Sequence, residues 1–257
     1  MNRLFNPVDP GLVAIPGRRF ALGDTCGDGD PDERPVAEVE VQPYLLGRYP
    51  VTNAEFAGFL SACDGEDDIR ACIDIDTEKN PLSLDDGRIL CASGYLRHPV
   101  SYVCWEGANR YCAWLGDQIG LPCRLPSEAE WQNAAMGPDG FKWSLGNVFA
   151  AADYVCGCDA PAQVDAGRPS AYGLHSMTGN VFEWCQDRYH PVPGCSGDDR
   201  LDDTSYVIKG GAFILHEPAN LRNAKRFSAA RESAIGCLGF RVAASGAELS
   251  SQQRITP

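Results

Sequence analysis

Two rhythms of apolar spacing run through this chain, a period of two in short runs and a period near 3.6 in a few longer ones. The most telling short run follows Gly179-Asn180: Val181, Glu183 and Cys185 alternate with Phe182, Trp184 and Gln186. Gly and Asn tolerate positive φ and alternation sends side chains to opposite faces, so this reads as a turn and then a strand. It places one carboxylate, Glu183, between two large aromatics, where it must be compensated by a cation or by backbone amides. Leu12–Ile15 and Phe20–Leu22 flank Pro16-Gly17 as strand, turn and strand, and Val36–Leu46 alternates as one further strand. Thr52-Asn53-Ala54-Glu55 and Ser127-Glu128-Ala129-Glu130 are capping boxes. They predict helices through Phe56, Phe59 and Leu60 and through Trp131 and Ala135. Trp105, Ala108, Cys112 and Leu115 are spaced as a third helix, after an edge strand at His98–Val103 with Pro99 near its start. Tyr206–Ile214 reads as a strand interrupted by Gly210-Gly211, and Leu238–Ala243 as the closing strand. An acidic stretch at 63–90 lacks sustained periodicity and is expected to be a surface insertion, partly disordered. Residues 141–173 are loop-rich, and 246–257 read as a loose polar tail. The pattern predicts an α+β fold, a single domain over 1–257 with its core at about 12–245.

Composition narrows the function classes. The chain has 257 residues, 44% hydrophobic and 22% charged, enough for a full core. No run approaches a membrane span and no hydrophobic signal core precedes residue 12, so a cytoplasmic protein without a membrane partner is expected. A net charge of −13 argues against a nucleic-acid partner, whose phosphates require an excess of Lys and Arg. Twelve cysteines fall short of a disulfide scaffold, and reduced thiols are expected. Cys104, Cys112, Cys123 and Cys237 lie in apolar contexts as small core residues. Cys156-Gly157-Cys158 with Cys185 and Cys195 could supply four thiolates, but the spacing lacks the paired two-residue gaps of common zinc sites. Asp28, Asp30 and Asp32 partly follow a calcium loop without its later glutamate, which favours a solvated turn.

Asn180-Val181-Phe182-Glu183-Trp184 resembles the Asn-Val-Trp-Glu-Trp signature of the sulfatase-modifying-factor family, the fold of formylglycine-generating enzymes. Four further stretches match in the family's order: Gly47–Asn53, His98-Pro99-Val100 leading to Trp105, Arg124–Trp131, and Gly210-Gly211 leading to Gly239-Phe240-Arg241. The resemblance implies a formylglycine-generating-enzyme-type, complex C-type-lectin-like domain. It also implies structural calcium. One ion would take the side chains of Ser176 and Glu183 with the carbonyls of Gly179 and Val181, and a second would use Asp153 and the Tyr154 carbonyl. Ser176 stands where the family usually has Asn. Some members join a cysteine at the position of Cys112 to one just after the Gly-Phe-Arg, but here that second position is Val242.

Formylglycine-generating enzymes oxidise a peptide cysteine with oxygen and a copper ion held by two cysteines, four and nine residues after the second glycine of the Gly-Gly pair. Those positions are Leu215 and Asn220. Copper(I) prefers soft thiolates, so copper chemistry is not expected. What the resemblance leaves at the pocket is Phe182 for a tryptophan, Ala212 for a serine, and His216, Glu217, Arg222 and Arg226 around Leu215 and Asn220. The leading reading is a noncatalytic module for a peptide or protein ligand, with Arg222 and Arg226 able to hold carboxylates. An alternative is a mononuclear iron oxygenase, resembling the ergothioneine or pyoverdine-type enzymes, with two of His98, His175, His190 and His216 and a carboxylate brought together by folding. A third is an unorthodox formylglycine-type oxidase. The structural alternatives stay open: Arg222 and Arg226 paired with Glu217 or Glu232, Arg241 as a buried ion-pair partner, Glu183 bonded to turn amides, and His98 as a hydrogen-bonder before a proline.

Overall fold

The computed structural model describes residues 11–191, 193 and 204–245, so the tail at 246–257 and Cys195 lie outside the described residues. Strands β1 (Leu12–Ile15) and β2 (Arg18–Leu22) are followed by β3 (Ala37–Val41) and β4 (Tyr44–Gly47). The run expected as one strand over Val36–Leu46 is thus two, because Pro43 between them has no amide to donate to a ladder. Helix α1 (Asn53–Leu60) begins where Thr52 Oγ1 accepts from the Glu55 amide at 3.2 Å and Glu55 Oε2 accepts from the Thr52 amide at 2.7 Å.

The acidic stretch at 63–90 is more ordered than its composition predicts. It carries a short helix α2 (Glu66–Arg70) and a hairpin of β5 (Leu82–Asp85) and β6 (Arg88–Cys91). Ile69, Cys72, Ile73, Ile75 and Leu82 are buried in the larger hydrophobic cluster. Its acids face water while its sparse apolar residues point inward, without a regular period to reveal them.

The segment at 98–103 is not a strand. It makes single bridges, Thr52 to Pro99 and Ile73 to Val103, and Tyr102 takes φ +62. Helix α3 (Trp105–Ile119), strand β7 (Cys123–Arg124) and helix α4 (Glu128–Met136) follow. Helix α4 carries the second capping box, and Glu130 also accepts two Arg124 bonds at 2.6 Å.

The remaining strands are β8 (Phe182–Arg188), β9 (Ser205–Lys209), β10 (Phe227–Ala230), β11 (Leu238–Gly239) and β12 (Ala243–Ser245). They build two four-stranded sheets, β1-β4-β12-β7 and β10-β9-β8-β11, beside the two hairpins β2-β3 and β5-β6. The closing run, expected as one strand, divides between the sheets: β11 lies parallel to β8, and β12 lies antiparallel to β4. Arg241 sits at the crossing. Strand β8 is central, so Val181 to Cys185 are buried on both faces rather than one. Among the described residues no helix is long and apolar enough to cross a membrane.

Candidate functional site

A line of buried charge runs under the sheets. Glu183 on β8 and Arg241 are both fully buried, with Arg241 Nε 2.6 Å from Oε2 and Nη2 2.7 Å from Oε1. Trp131 Nε1 adds a third bond to Oε2 at 2.7 Å. Arg241 also donates to the carbonyls of Gly47 and His175, each at 2.9 Å. One guanidinium therefore ties both sheets and the loop before β8 to a single carboxylate. Charge-assisted bidentate bonds are the strongest of their class, and here each of the three guanidinium nitrogens has a partner.

This geometry does not fit calcium at Glu183. Both carboxylate oxygens are occupied by donors, and a cation there would lie against the guanidinium. Ser176 Oγ accepts from Asn180 Nδ2 at 3.2 Å instead. At the second place, Asp153 pairs with Arg168 at 3.0 Å and the Tyr154 ring stacks on Phe149 at 5.0 Å. Asp153 and one carbonyl supply two of the six to eight oxygens calcium takes.

The Gly179-Asn180 turn positions the surface around Phe213 and Leu215. Gly179 has φ +80, and a Cβ there would meet the Val155 carbonyl oxygen at 2.4 Å, so only glycine fits. The Asn180 amide donates to that same carbonyl at 2.8 Å, and the Asn180 carbonyl accepts from the Phe213 amide at 2.8 Å. The chain at 213–215 then runs beside 157–158: Gly157 donates to Leu215 at 2.8 Å and Cys158 to Phe213 at 2.9 Å. Trp143 Nε1 donates to the Pro218 carbonyl at 3.0 Å, drawing the loop of Val148 toward the same surface. Val148 is 86% exposed and Ile214 47%.

The residues proposed for ligand binding separate into an open and a closed set. His216 and Glu217 are exposed, and Leu215 and Asn220 are half-buried. Phe182 is buried with its ring 5.0 Å from Phe227, and Ala212 is fully buried. Arg222 and Arg226, each 3% exposed, are not at a rim. Arg222 holds Glu33 with bonds of 2.6 and 2.8 Å, and Arg226 holds Glu128 at 2.6 and 3.0 Å. Their partners are thus neither Glu217 nor Glu232, and neither guanidinium faces a ligand.

Glu33 arrives because the acidic loop folds back onto this cationic segment. Asp24 caps the loop, accepting from the Cys26 and Gly29 amides at 2.9 and 2.7 Å. Asp28 pairs with Lys142 and Asp30 with Lys225. Asp30, Asp32 and Glu33 form the one cluster of three metal-type ligands among the described residues. Each already has a counterpart, Lys225, the Tyr189 hydroxyl and Arg222. The loop expected to be a solvated turn is an electrostatic clamp. Lys225 holds the Asp30 carboxyl below its usual range. Asp24 is also held low. Partial burial works against it, but the Gly29 and Cys26 amides and Arg222 together outweigh burial.

No cluster of three ligands among the described residues includes a histidine, so the iron set is not assembled. His98 and His175 keep buried Nδ1 atoms without a partner, and burial pushes both imidazoles down in pKa. Cys185 is fully buried on β8 and does not join Cys156 and Cys158 in a four-thiolate set. Lys209, fully buried opposite Glu183 in the register, lies 3.6 Å from Glu128 and donates to the Ala224 carbonyl at 3.2 Å. The sequence reading missed the approach of Cys156 and Cys158 to the 213–216 segment. The signal for it was a glycine flanked by two cysteines in a loop where neither is spaced for a core.

The sequence matches the sulfatase-modifying factor enzyme 1-like domain over residues 5–245. It is 36% identical over 181 residues to serine/threonine-protein kinase Pkn1 of Chlamydia trachomatis, covering 69% of this chain and 28% of that protein. The chain therefore spans under a third of that longer relative. It is 30% identical to the formylglycine-generating enzyme of Streptomyces coelicolor, covering 94% of this chain and 91% of the relative. It is also 30% identical to the inactive C-alpha-formylglycine-generating enzyme 2 of Mus musculus, over 92% and 86%. The solved structure of PvdO from Pseudomonas aeruginosa superposes with a TM-score of 0.71 at 24% identity, covering 94% of this chain and 97% of that one.

Proposed function

The chain belongs to the sulfatase-modifying factor enzyme 1-like family, and on that premise we propose that it is a noncatalytic peptide- or protein-binding module on the formylglycine-generating-enzyme scaffold. The observation that carries this reading is the pair Leu215 and Asn220. They stand where the family's copper cysteines are expected, and Leu215 packs against the hydrophobic cluster. Neither offers a soft ligand for copper(I). A relative named as inactive shares the same 30% identity with this chain as one named for the activity, which supports a scaffold that outlasts its chemistry.

The ligand face is then the exposed Ile214, His216 and Glu217, with the loop that carries Val148 tied to Pro218 through Trp143. An apolar side chain flanked by a cationic group is the chemistry that suits it, because Glu217 is exposed there and the whole chain carries −13. Calcium is not required for this reading. Among the described residues no cluster of three ligands includes a histidine, so nothing there favours iron.

The test is selection of a displayed peptide library on the folded protein. Selected peptides should be basic and apolar, and Ile214→Asp or Glu217→Lys should weaken their binding about tenfold or more, roughly 1.4 kcal/mol, with the unfolding midpoint unmoved. A selection that enriches nothing, or peptides that bind both variants as well as the parent, would contradict the reading.

A further inference from the structure

Cysteine is ordinarily among the most buried residue types, yet of the described cysteines Cys26 and Cys158 are exposed. Cys158 belongs to Cys156-Gly157-Cys158, in which Cys156 is half-buried. The segment is fastened at its middle and far end by the Gly157 and Cys158 amides, which donate to Leu215 and Phe213. Gly157 bends with φ +63, and a Cβ there would lie 3.0 Å from His216 Nδ1. The imidazole therefore rests over the residue that separates the two cysteines. A bend at that residue lets cysteines one apart approach the Cα span of about 4.4–6.8 Å that a disulfide needs. Cys156 Sγ lies against the Ala151 carbonyl at 3.9 Å and Cys158 Sγ against the Ala160 carbonyl at 3.4 Å, and the thiols turn from those carbonyls to react.

We propose that Cys156 and Cys158 form a thiol–disulfide exchange centre for small or peptide disulfides, with His216 as the neighbouring proton acceptor. The centre shares His216 with the proposed ligand face, but neither cysteine belongs to that face, so the cysteine variants test the exchange centre independently of ligand binding. Cys158, the exposed thiol, gives its proton to His216, and its thiolate attacks one sulfur of a disulfide RSSR. The external S–S bond breaks, a mixed disulfide Cys158–SR forms, and the leaving thiolate takes the proton from the imidazolium. Cys156 then attacks Cys158 Sγ. The Cys156–Cys158 bond forms, the mixed disulfide breaks, and the second RSH leaves with the proton of Cys156. Two protein thiols are oxidised and one external disulfide is reduced to two thiols. Burial pushes the Cys156 thiol up in pKa, and the adjacent Cys158 adds to this. That suits a second attacker, which works by proximity to the mixed disulfide rather than by free reactivity.

The test uses the full chain, oxidised and reduced glutathione over a range of ratios, alkylation, and mass mapping without reduction. The peptide holding both cysteines should lose two hydrogens and resist alkylation at ratios where Cys26, also exposed, carries a single glutathione. In Cys156→Ser the reaction should stop with glutathione on Cys158. His216→Gln should slow formation of the internal disulfide about tenfold at neutral pH, less than a full general-base contribution because some thiolate forms unaided. Independent alkylation or glutathionylation of Cys156 and Cys158, with no internal disulfide at any ratio, would overturn the exchange centre. An unchanged rate in His216→Gln, with the fold intact by circular dichroism, would overturn the imidazole's part in it.

Discussion

The interior line from Glu33 through Glu128 to Glu183 and the open face around Leu215 use the same kinds of side chain to opposite ends. In the interior, each carboxylate meets an arginine within 2.6–3.0 Å and nothing is left over for a ligand. On the open face, His216, Glu217 and Cys158 are exposed beside the half-buried Leu215 and Asn220. The difference teaches that the charged residues most visible in this sequence hold the scaffold together, while charged and polar groups outside that interior gather beside Leu215. A buried arginine is not a binding arginine because it is charged. Its partner decides.

The sharpest way to break that contrast is Arg241→Met. It leaves Glu183 buried and uncompensated, and about 3–5 kcal/mol of stability should be lost, read by urea unfolding. Glu183→Gln together with Arg241→Met should recover a large part of it, since no unpaired charge then remains. A loss below about 1 kcal/mol in the single variant would mean that Glu183 has another cation.

Acid probes the clamp. Asp24 and Asp30 have folded-state pKa values below their unfolded ones, so the unfolded chain binds more protons in that window and stability falls as pH drops. The unfolding midpoint should decline from about pH 5 downward, and Lys225→Gln should flatten the decline by removing the largest cause of the Asp30 shift. Asp187 works the other way, because burial raises its pKa. An identical pH slope in Lys225→Gln would remove Asp30 from the clamp.

Lys209→Met should be mild, within about 1 kcal/mol or slightly stabilising. Burial pushes the Lys209 ammonium down in pKa, so its charge works against folding below its unfolded value. Glu128 would still hold both Arg226 bonds. A loss as large as that of Arg241→Met would show that Lys209 is a needed counterion. Smallest of all, removing calcium with a chelator should leave the unfolding midpoint where it is. A clear downward shift would place an ion where none of the oxygen sets described above fits.

Much of the fold was legible because its cues are local. Two capping boxes start α1 and α4 where expected, and Gly179-Asn180 makes the turn before β8. The family motifs carried the architecture. What was not legible lies in long-range pairing. Arg222 finds Glu33 at a separation of 189 residues and Arg226 finds Glu128 at 98, and no local spacing encodes either. The same holds for Gly157 beside Leu215. The acidic stretch misled for another reason, since a few inward residues such as Ile69, Ile73 and Leu82 are enough to dock a segment whose composition is polar.

The most direct test of the central claim is mass spectrometry of a cysteine-containing sulfatase peptide incubated with this protein, copper(I) and oxygen. The account predicts that the peptide cysteine is not converted to formylglycine. Conversion that requires both the protein and copper would contradict it.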